Sequence, residues 1–254
     1  MTTLKTLEQA GWTKAAAVPR RLVCSIEGLD KTGKSHLAMS APGPIAYIDL
    51  DVGTEGVIQK CEKEYLIYRI DQPKRLGTQA ELMESFKDIW NDVRARIMAA
   101  LQLGEGTLVV DTFTEIYDIC RLAHFGTLSG GQGPIPPNRY WICNADMKEL
   151  MRLMRESKMN VILLHRMGID FTSKELSFQG WKPVPSEVQA VLRTQRSDTD
   201  SGPVFSAEVR TCRHKPEMMG KVLVAGKGEG PREIPYSLNF EALLGYVHGP
   251  IANG

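Results

Sequence analysis

The run Gly28-Leu29-Asp30-Lys31-Thr32-Gly33-Lys34-Ser35 fills every fixed position of the pattern G-x-x-x-x-G-K-[ST]. Its chemistry is anion binding. Glycines let the backbone curl so that N–H groups and a helix N-terminus face phosphate oxygens, the lysine reaches the β and γ oxygens, and the serine hydroxyl ligates Mg²⁺. All eight residues, Gly28, Leu29, Asp30, Lys31, Thr32, Gly33, Lys34 and Ser35, are therefore candidates to hold a nucleoside triphosphate, with Mg²⁺ beside Ser35. The flanks suit the motif. Leu22-Val23-Cys24-Ser25-Ile26-Glu27 reads as a short buried strand, and His36-Leu37-Ala38-Met39 as the first turns of a helix.

Acids come next. Thr107-Leu108-Val109-Val110-Asp111 is an apolar strand ending in a carboxylate, which can hold the same Mg²⁺ as Ser35, usually through water. The alternative for Asp111 is a helix cap, a job Thr112 can share. Hydrolysis also needs a carboxylate that orients water. Asp51, Glu55 and Glu115 are the candidates, and each reads equally well as a solvated surface acid. Asn160-Val161-Ile162-Leu163-Leu164-His165 is a strand expected beside the Asp111 strand. Its terminal imidazole either senses the γ-phosphate or is a hydrogen-bonded histidine at a strand end.

The elements that must position these groups alternate along the chain. Ile45 to Asp51 and Tyr65 to Ile70 read as strands, and Thr78-Gln79-Ala80-Glu81 is a capping box. The helix it opens puts Leu82, Phe86, Ile89, Trp90, Val93, Ile97 and Leu101 on one stripe and stops at Gly104. Strands alternating with helices predict an α/β fold with a mostly parallel central sheet flanked by helices, its ligands gathering at the strand C-termini. Residues 126–137 are rich in glycine and proline and predict an irregular, mobile connection. Residues 166–183 interleave Arg166, Lys174 and Lys182 with Phe171, Phe178 and Trp181. Single-stranded nucleic acid asks for such a mixture, and so does a β-hairpin that packs its own aromatics. Val204 to Arg210 reads as a late strand running into Arg210, Arg213, His214 and Lys215, a basic cluster of the kind that ordinarily forms a solvated face.

Composition narrows the class. At 254 residues the chain can bury one full core, and its net charge of +1 leaves any polyanion binding to a local patch. Five cysteines form no C-x-x-C pair and no metal-like spacing, which predicts a reduced, cytoplasmic protein without a metal cage. The polar start Met1-Thr2-Thr3 is unlike a signal region, no apolar stretch approaches the roughly 18 residues of a membrane helix, and no internal repeat is visible. The expected division is an N-terminal arm or helix over 1–20, a core over 21–245 with antiparallel strands near its C-terminus, and a tail over 246–254.

The phosphate loop, the strand Tyr47-Ile48-Asp49-Leu50-Asp51, the strand Leu108-Val109-Val110-Asp111-Thr112, the glycine-rich loop and the strand ending in His165 together resemble a RecA-type P-loop ATPase core. Within that class the chain is similar to the small phage-encoded RecA-like proteins of single-strand annealing. The resemblance covers roughly residues 22–225, and only the phosphate loop and the Asp111 strand are specific within it. It implies ATP and Mg²⁺ as cofactors and DNA-stimulated hydrolysis. It also implies single-stranded DNA as partner, homo-oligomers or filaments, a single-strand-binding protein as a further partner, and a place in the host cytoplasm.

By the same resemblance Asp51 takes the place of the catalytic glutamate, His165 that of a glutamine-type switch, and residues 126–137 and 166–183 those of two DNA loops. Arg210 and Arg213 fall near a basic pair that reaches a neighbouring subunit's nucleotide. Trp12-Thr13-Lys14-Ala15 resembles the aromatic-x-x-Ala motif that docks one subunit on the next, with Trp12 and Ala15 as its anchors. The alternative for those residues is an amphipathic N-terminal helix capping its own domain. Two departures matter: an aspartate stands where the family has glutamate, and no extra DNA-binding domain is evident. Two other readings stay open. One is a thymidylate-like nucleoside monophosphate kinase, whose Asp-Arg-Tyr is echoed by Asn138-Arg139-Tyr140. The other is a nucleotide-gated binding module with little hydrolysis.

Overall fold

Apolar runs of five or six residues dominate the strands that carry the candidate chemistry, and such runs are stable only when both sheet faces are covered. In the computed structural model, which describes residues 21–57, 63–71, 76–128, 139–169, 174–200, 202–225 and 238–248, that covering is complete at the sheet centre. Strands β1 (Val23–Gly28) and β4 (Thr107–Asp111) are buried along their whole length. They share a sheet with β2 (Ile45–Asp49), β3 (Tyr65–Arg69), β5 (Asn160–Ile169), β6 (Leu176–Phe178), β7 (Ala190–Thr199), β8 (Gly202–Cys212) and β9 (Val222–Val224). The order is β3-β2-β4-β5-β1-β7-β8-β9, with β6 paired to β5.

The strands from β3 to β7 run parallel, and β8, β9 and β6 are antiparallel additions. Register brings the chemistry to one edge. Asp49 is opposite Asp111, Asp111 opposite Leu164, and Glu27 opposite His165, so the phosphate loop and three acid- or imidazole-bearing strand ends emerge together. The expected adjacency of the Asp111 and His165 strands holds.

Helices α2 (Gln79–Leu101), α3 (Phe113–Phe125) and α4 (Trp141–Glu156) cover one face, burying Phe86, Trp90, Ile116, Ile119, Met147 and Met151 against it. The short helix α5 (Val184–Glu187) adds Val184 to that cluster, and helices α1 (Lys34–Met39) and α6 (Phe240–His248) cover the other face, through Leu37, Ala38, Phe240 and Leu243. The Thr78 capping box forms with both reciprocal bonds, and Phe86, Trp90, Val93 and Ile97 of the expected stripe are its buried members. Thr112, not Asp111, caps α3 by accepting from the Glu115 N–H. Gly126 ends α3 at φ +61°, where a Cβ would lie 2.0 Å from the Gln79 carbonyl oxygen, so only glycine lets α3 meet the start of α2.

The β-hairpin considered for residues 166–183 forms, but its second strand stops at Phe178, and Trp181 turns into the core. Strand β7 has no counterpart in the sequence reading, although it lies beside the phosphate-loop strand. Helix α6 carries the chain to His248 with Val247 buried. The arm with Trp12 and Ala15, residues 129–138 of the glycine-rich loop, Phe171 and residues 249–254 lie outside the described residues.

Candidate functional site

Glycine geometry builds the loop. Gly33 precedes α1 at φ +91°, a conformation that L side chains rarely adopt, and its carbonyl receives the Leu37 N–H at 3.0 Å to start the helix. Gly28 is required for space. A Cβ there would lie 2.2 Å from Thr194 Oγ1 of β7 and 2.7 Å from Thr32 Oγ1. Those two hydroxyls bond each other at 2.7 Å, tying the loop to β7. Below them Glu27, 4% exposed, accepts two contacts from Arg193, at 2.7 Å from Nε and 2.6 Å from Nη2.

Above the loop opens a cavity of about 390 Å³. Lys34, Ser35, Asp51, Asp111 and Arg166 all line it. Lys34 Nζ donates to the Gly28 and Leu29 carbonyls at 2.9 and 2.7 Å, held over the loop that would cradle phosphate. Burial pushes its pKa down, and the carboxylates of Asp30, Asp111 and Asp51 oppose that shift.

Asp111, 3% exposed, has hydroxyls for partners. Ser35 Oγ donates to Oδ2 at 2.9 Å and Tyr47 Oη to the same oxygen at 2.5 Å. Burial raises its carboxyl to about 6, the two hydroxyl donors pull it down again, and the Asp51 and Asp49 charges add to the rise. A buried carboxylate bonded to hydroxyls instead of a cation, with the motif serine on the same oxygen, is a donor set that fits Mg²⁺.

Arg166 joins the two acids considered for water orientation. Its guanidinium reaches Asp51 Oδ2 at 2.8 Å and Glu115 Oε1 at 3.0 Å, so Asp51 and Glu115 stand on either side of one cation at the cavity. Glu55 is exposed and does not line the cavity. His165 does not line it either. Side chains alternate along β5, so His165 shares the face of Val161 and Leu163, under α3. Its ring is 0% exposed, 5.6 Å from Phe113 and 4.5 Å from Phe178, and burial pushes its pKa down to about 3. The imidazole is neutral at physiological pH and sits behind the site, with Arg166 in the place expected for it.

The remaining candidates separate. Trp181 is 1% exposed and its indole N–H donates to Asn144 Oδ1 at 2.8 Å, so the ring anchors α4 and offers no face to a base. Phe178 is half-buried against His165, whereas Lys174 and Lys182 are exposed. Arg210 pairs with Glu208 at 2.8 Å and Arg213 donates to the Ser186 carbonyl at 2.6 Å; both lie outside the cavity.

Sequence reasoning missed four groups here. Tyr47 shares strand parity with Asp49, and a tyrosine inside an aliphatic strand was the available signal. Asp49 accepts from Gly53 N–H and Thr54 Oγ1 and fixes the turn that carries Asp51. Arg196 and Phe205 line the cavity from β7 and β8, with no motif to announce them.

No protein-family model matches the chain, and no curated protein matches it in sequence. Solved structures similar to it include the RadB recombinase, at 14% identity and TM-score 0.46 over 87% of this chain and 91% of that one. A KaiC-like protein from Pyrococcus horikoshii OT3 is similar at 12% identity and TM-score 0.44, over 82% of this chain and 86% of the other. The flagellar accessory protein FlaH from Methanocaldococcus jannaschii is similar at 13% and 0.44, with coverage of 82% and 86%. The functional reading rests on the chain's own residues.

Proposed function

We propose that the chain binds ATP with Mg²⁺ over the phosphate loop, hydrolyses it, and uses the cycle to assemble on single-stranded DNA and promote annealing or homologous pairing. The observation that carries the nucleotide part is Asp111, a buried carboxylate sharing one oxygen with the Ser35 hydroxyl beside a complete phosphate loop. When bound, Mg²⁺ neutralises phosphate charge and supports the leaving group. The chain's part is positional. The loop N–H groups and Lys34 hold phosphate oxygens, and Ser35 and Asp111 hold the metal. Asp51 orients water, with Glu115 as its alternative. Arg166 holds one oxygen of each carboxylate, so its position bears on which of the two serves.

The DNA part is supported by connectivity. Strand β5 carries Arg166 at the cavity and continues into a hairpin with β6, whose exposed positions include Ile169, Lys174 and Leu176. A change at Arg166 therefore acts on the root of an exposed hairpin. Lys174 and Lys182 are the proposed phosphate contacts; Phe171, the remaining aromatic, lies outside the described residues. Self-assembly would leave Arg210 and Arg213 on an exposed flank facing a second copy. Binding of a labelled single-stranded oligonucleotide, with ATP, with ADP and without nucleotide, tests the reading. Tighter binding with ATP supports it, and affinity independent of nucleotide contradicts it.

A further inference from the structure

Cys120 and His124 lie one turn apart on α3, and Cys143 meets them from α4. Their three donor atoms, two sulfurs and an imidazole nitrogen, all lie within 4.8 Å of one another. Both cysteines are 0% exposed, while His124 and Asp146 are half-buried, so the cluster is closed toward the core and open at one edge. At that edge His124 Nε2 lies 2.8 Å from Asp146 Oδ2, and Trp90 Nε1 donates to the same oxygen at 3.0 Å. Cys143 Sγ faces the Cys120 carbonyl oxygen at 3.7 Å. None of these residues lines the phosphate cavity.

We propose that Cys120, Cys143 and His124 bind a thiophilic divalent cation, with Zn²⁺ as the expected ion. Two thiolates and an imidazole form a zinc donor set. Zn–S bonds of about 2.3 Å and Zn–N bonds of about 2.0 Å at tetrahedral angles put the donors roughly 3.4–3.8 Å apart, so the cluster closes by about 1 Å, within the reach of side-chain rotation. With Nε2 turned to Asp146, Nδ1 is the ligating nitrogen. Asp146 then fixes the ring's tautomer and orientation, the arrangement that metal-bound histidines ordinarily have. A water from the open edge completes the four ligands.

As the cation enters, the two thiols release their protons to solvent, and the two thiolates neutralise its charge. Asp146 and Arg94, of opposite sign, are the charged side chains that act on Cys120. The cation would fasten α3 to α4 at the foot of residues 126–140, which join them. The spacing Cys-x-x-x-His on one helix and Cys-x-x-Asp on the next escapes a search for C-x-x-C pairs, because each helix supplies only half of the site.

Cobalt substitution tests this. The full chain, reduced, metal-stripped and kept anaerobic with excess Mg²⁺ to occupy carboxylate sites, is titrated with Co²⁺. One Co²⁺ per chain with thiolate-to-metal charge-transfer absorption and tetrahedral visible bands is expected, displaced by one Zn²⁺. Asp146→Asn keeps an acceptor for Trp90 and should weaken binding by about 10–100-fold. His124→Ala, at the open edge, should weaken it further, and Cys120→Ser with Cys143→Ser should abolish the band. Circular dichroism establishes that each variant is folded; if the double cysteine variant is not, His124→Ala decides. The proposal is overturned if the folded wild type gives no charge-transfer band or if the band survives in His124→Ala unchanged.

Discussion

Asp111 is held between two demands, burial that favours the neutral acid and the proposed metal role, which needs the carboxylate. Its carboxyl is raised from 3.8 to about 6, so the folded apo chain binds this proton more tightly than the unfolded chain. That stabilisation is full below about pH 4 and is lost as pH rises through about 6, the window in which the metal-binding form appears. The thermal shift produced by Mg²⁺–ADP should therefore be small near pH 5 and full near pH 7.5. In Asp111→Asn the shift should vanish, with an apo melting temperature at pH 7.5 no lower than wild type. Differential scanning fluorimetry across pH reads both; a pH-independent shift would count against the assignment. Trp181 belongs to the same scale. Buried and bonded to Asn144, it should cost about 3–5 kcal/mol as Trp181→Ala in urea unfolding, far more than an exposed stacking ring would.

At the scale of elements, β1, β4 and the capping box of α2 are legible in the sequence because each pairs a local signal with an uninterrupted apolar pattern. Strand β7 is not, since Arg193, Gln195, Arg196, Ser197 and Asp198 make it look like a solvated segment. Its charges serve the fold and cavity: Arg193 offsets buried Glu27, and Arg196 lines the cavity above the phosphate loop. His165 and Trp181 misled for another reason. A ring at a strand end and a ring among lysines have the same spacing whether they face a ligand or a core, and only the packing of α3 and α4 decides. Gly126→Ala should lower stability by more than about 1 kcal/mol, because its Cβ would meet a backbone oxygen that cannot rotate away; a melting temperature equal to wild type would refute that contact. In the β5–β6 hairpin and just beyond it, Lys174→Ala with Lys182→Ala should flatten the salt dependence of single-stranded DNA binding by about 0.7 log units per lost phosphate contact. An unchanged slope would remove both lysines from the DNA path.

For the whole molecule, a net charge of +1 supplies no general attraction to nucleic acid, so the proposed DNA binding requires assembly and a local surface. Among the described helices none is long and apolar enough to cross a membrane. The central claim is that the phosphate loop, Asp111 and the acids held by Arg166 form a hydrolytic ATP site coupled to DNA. ATP hydrolysis with Mg²⁺, in the presence and absence of single-stranded DNA, tests it most directly, with Lys34→Ala measured in parallel. The account expects turnover in the wild type, an increase with DNA, and neither in Lys34→Ala. Equal turnover in both proteins, or bound ATP that the wild type never hydrolyses at any DNA concentration, would contradict it.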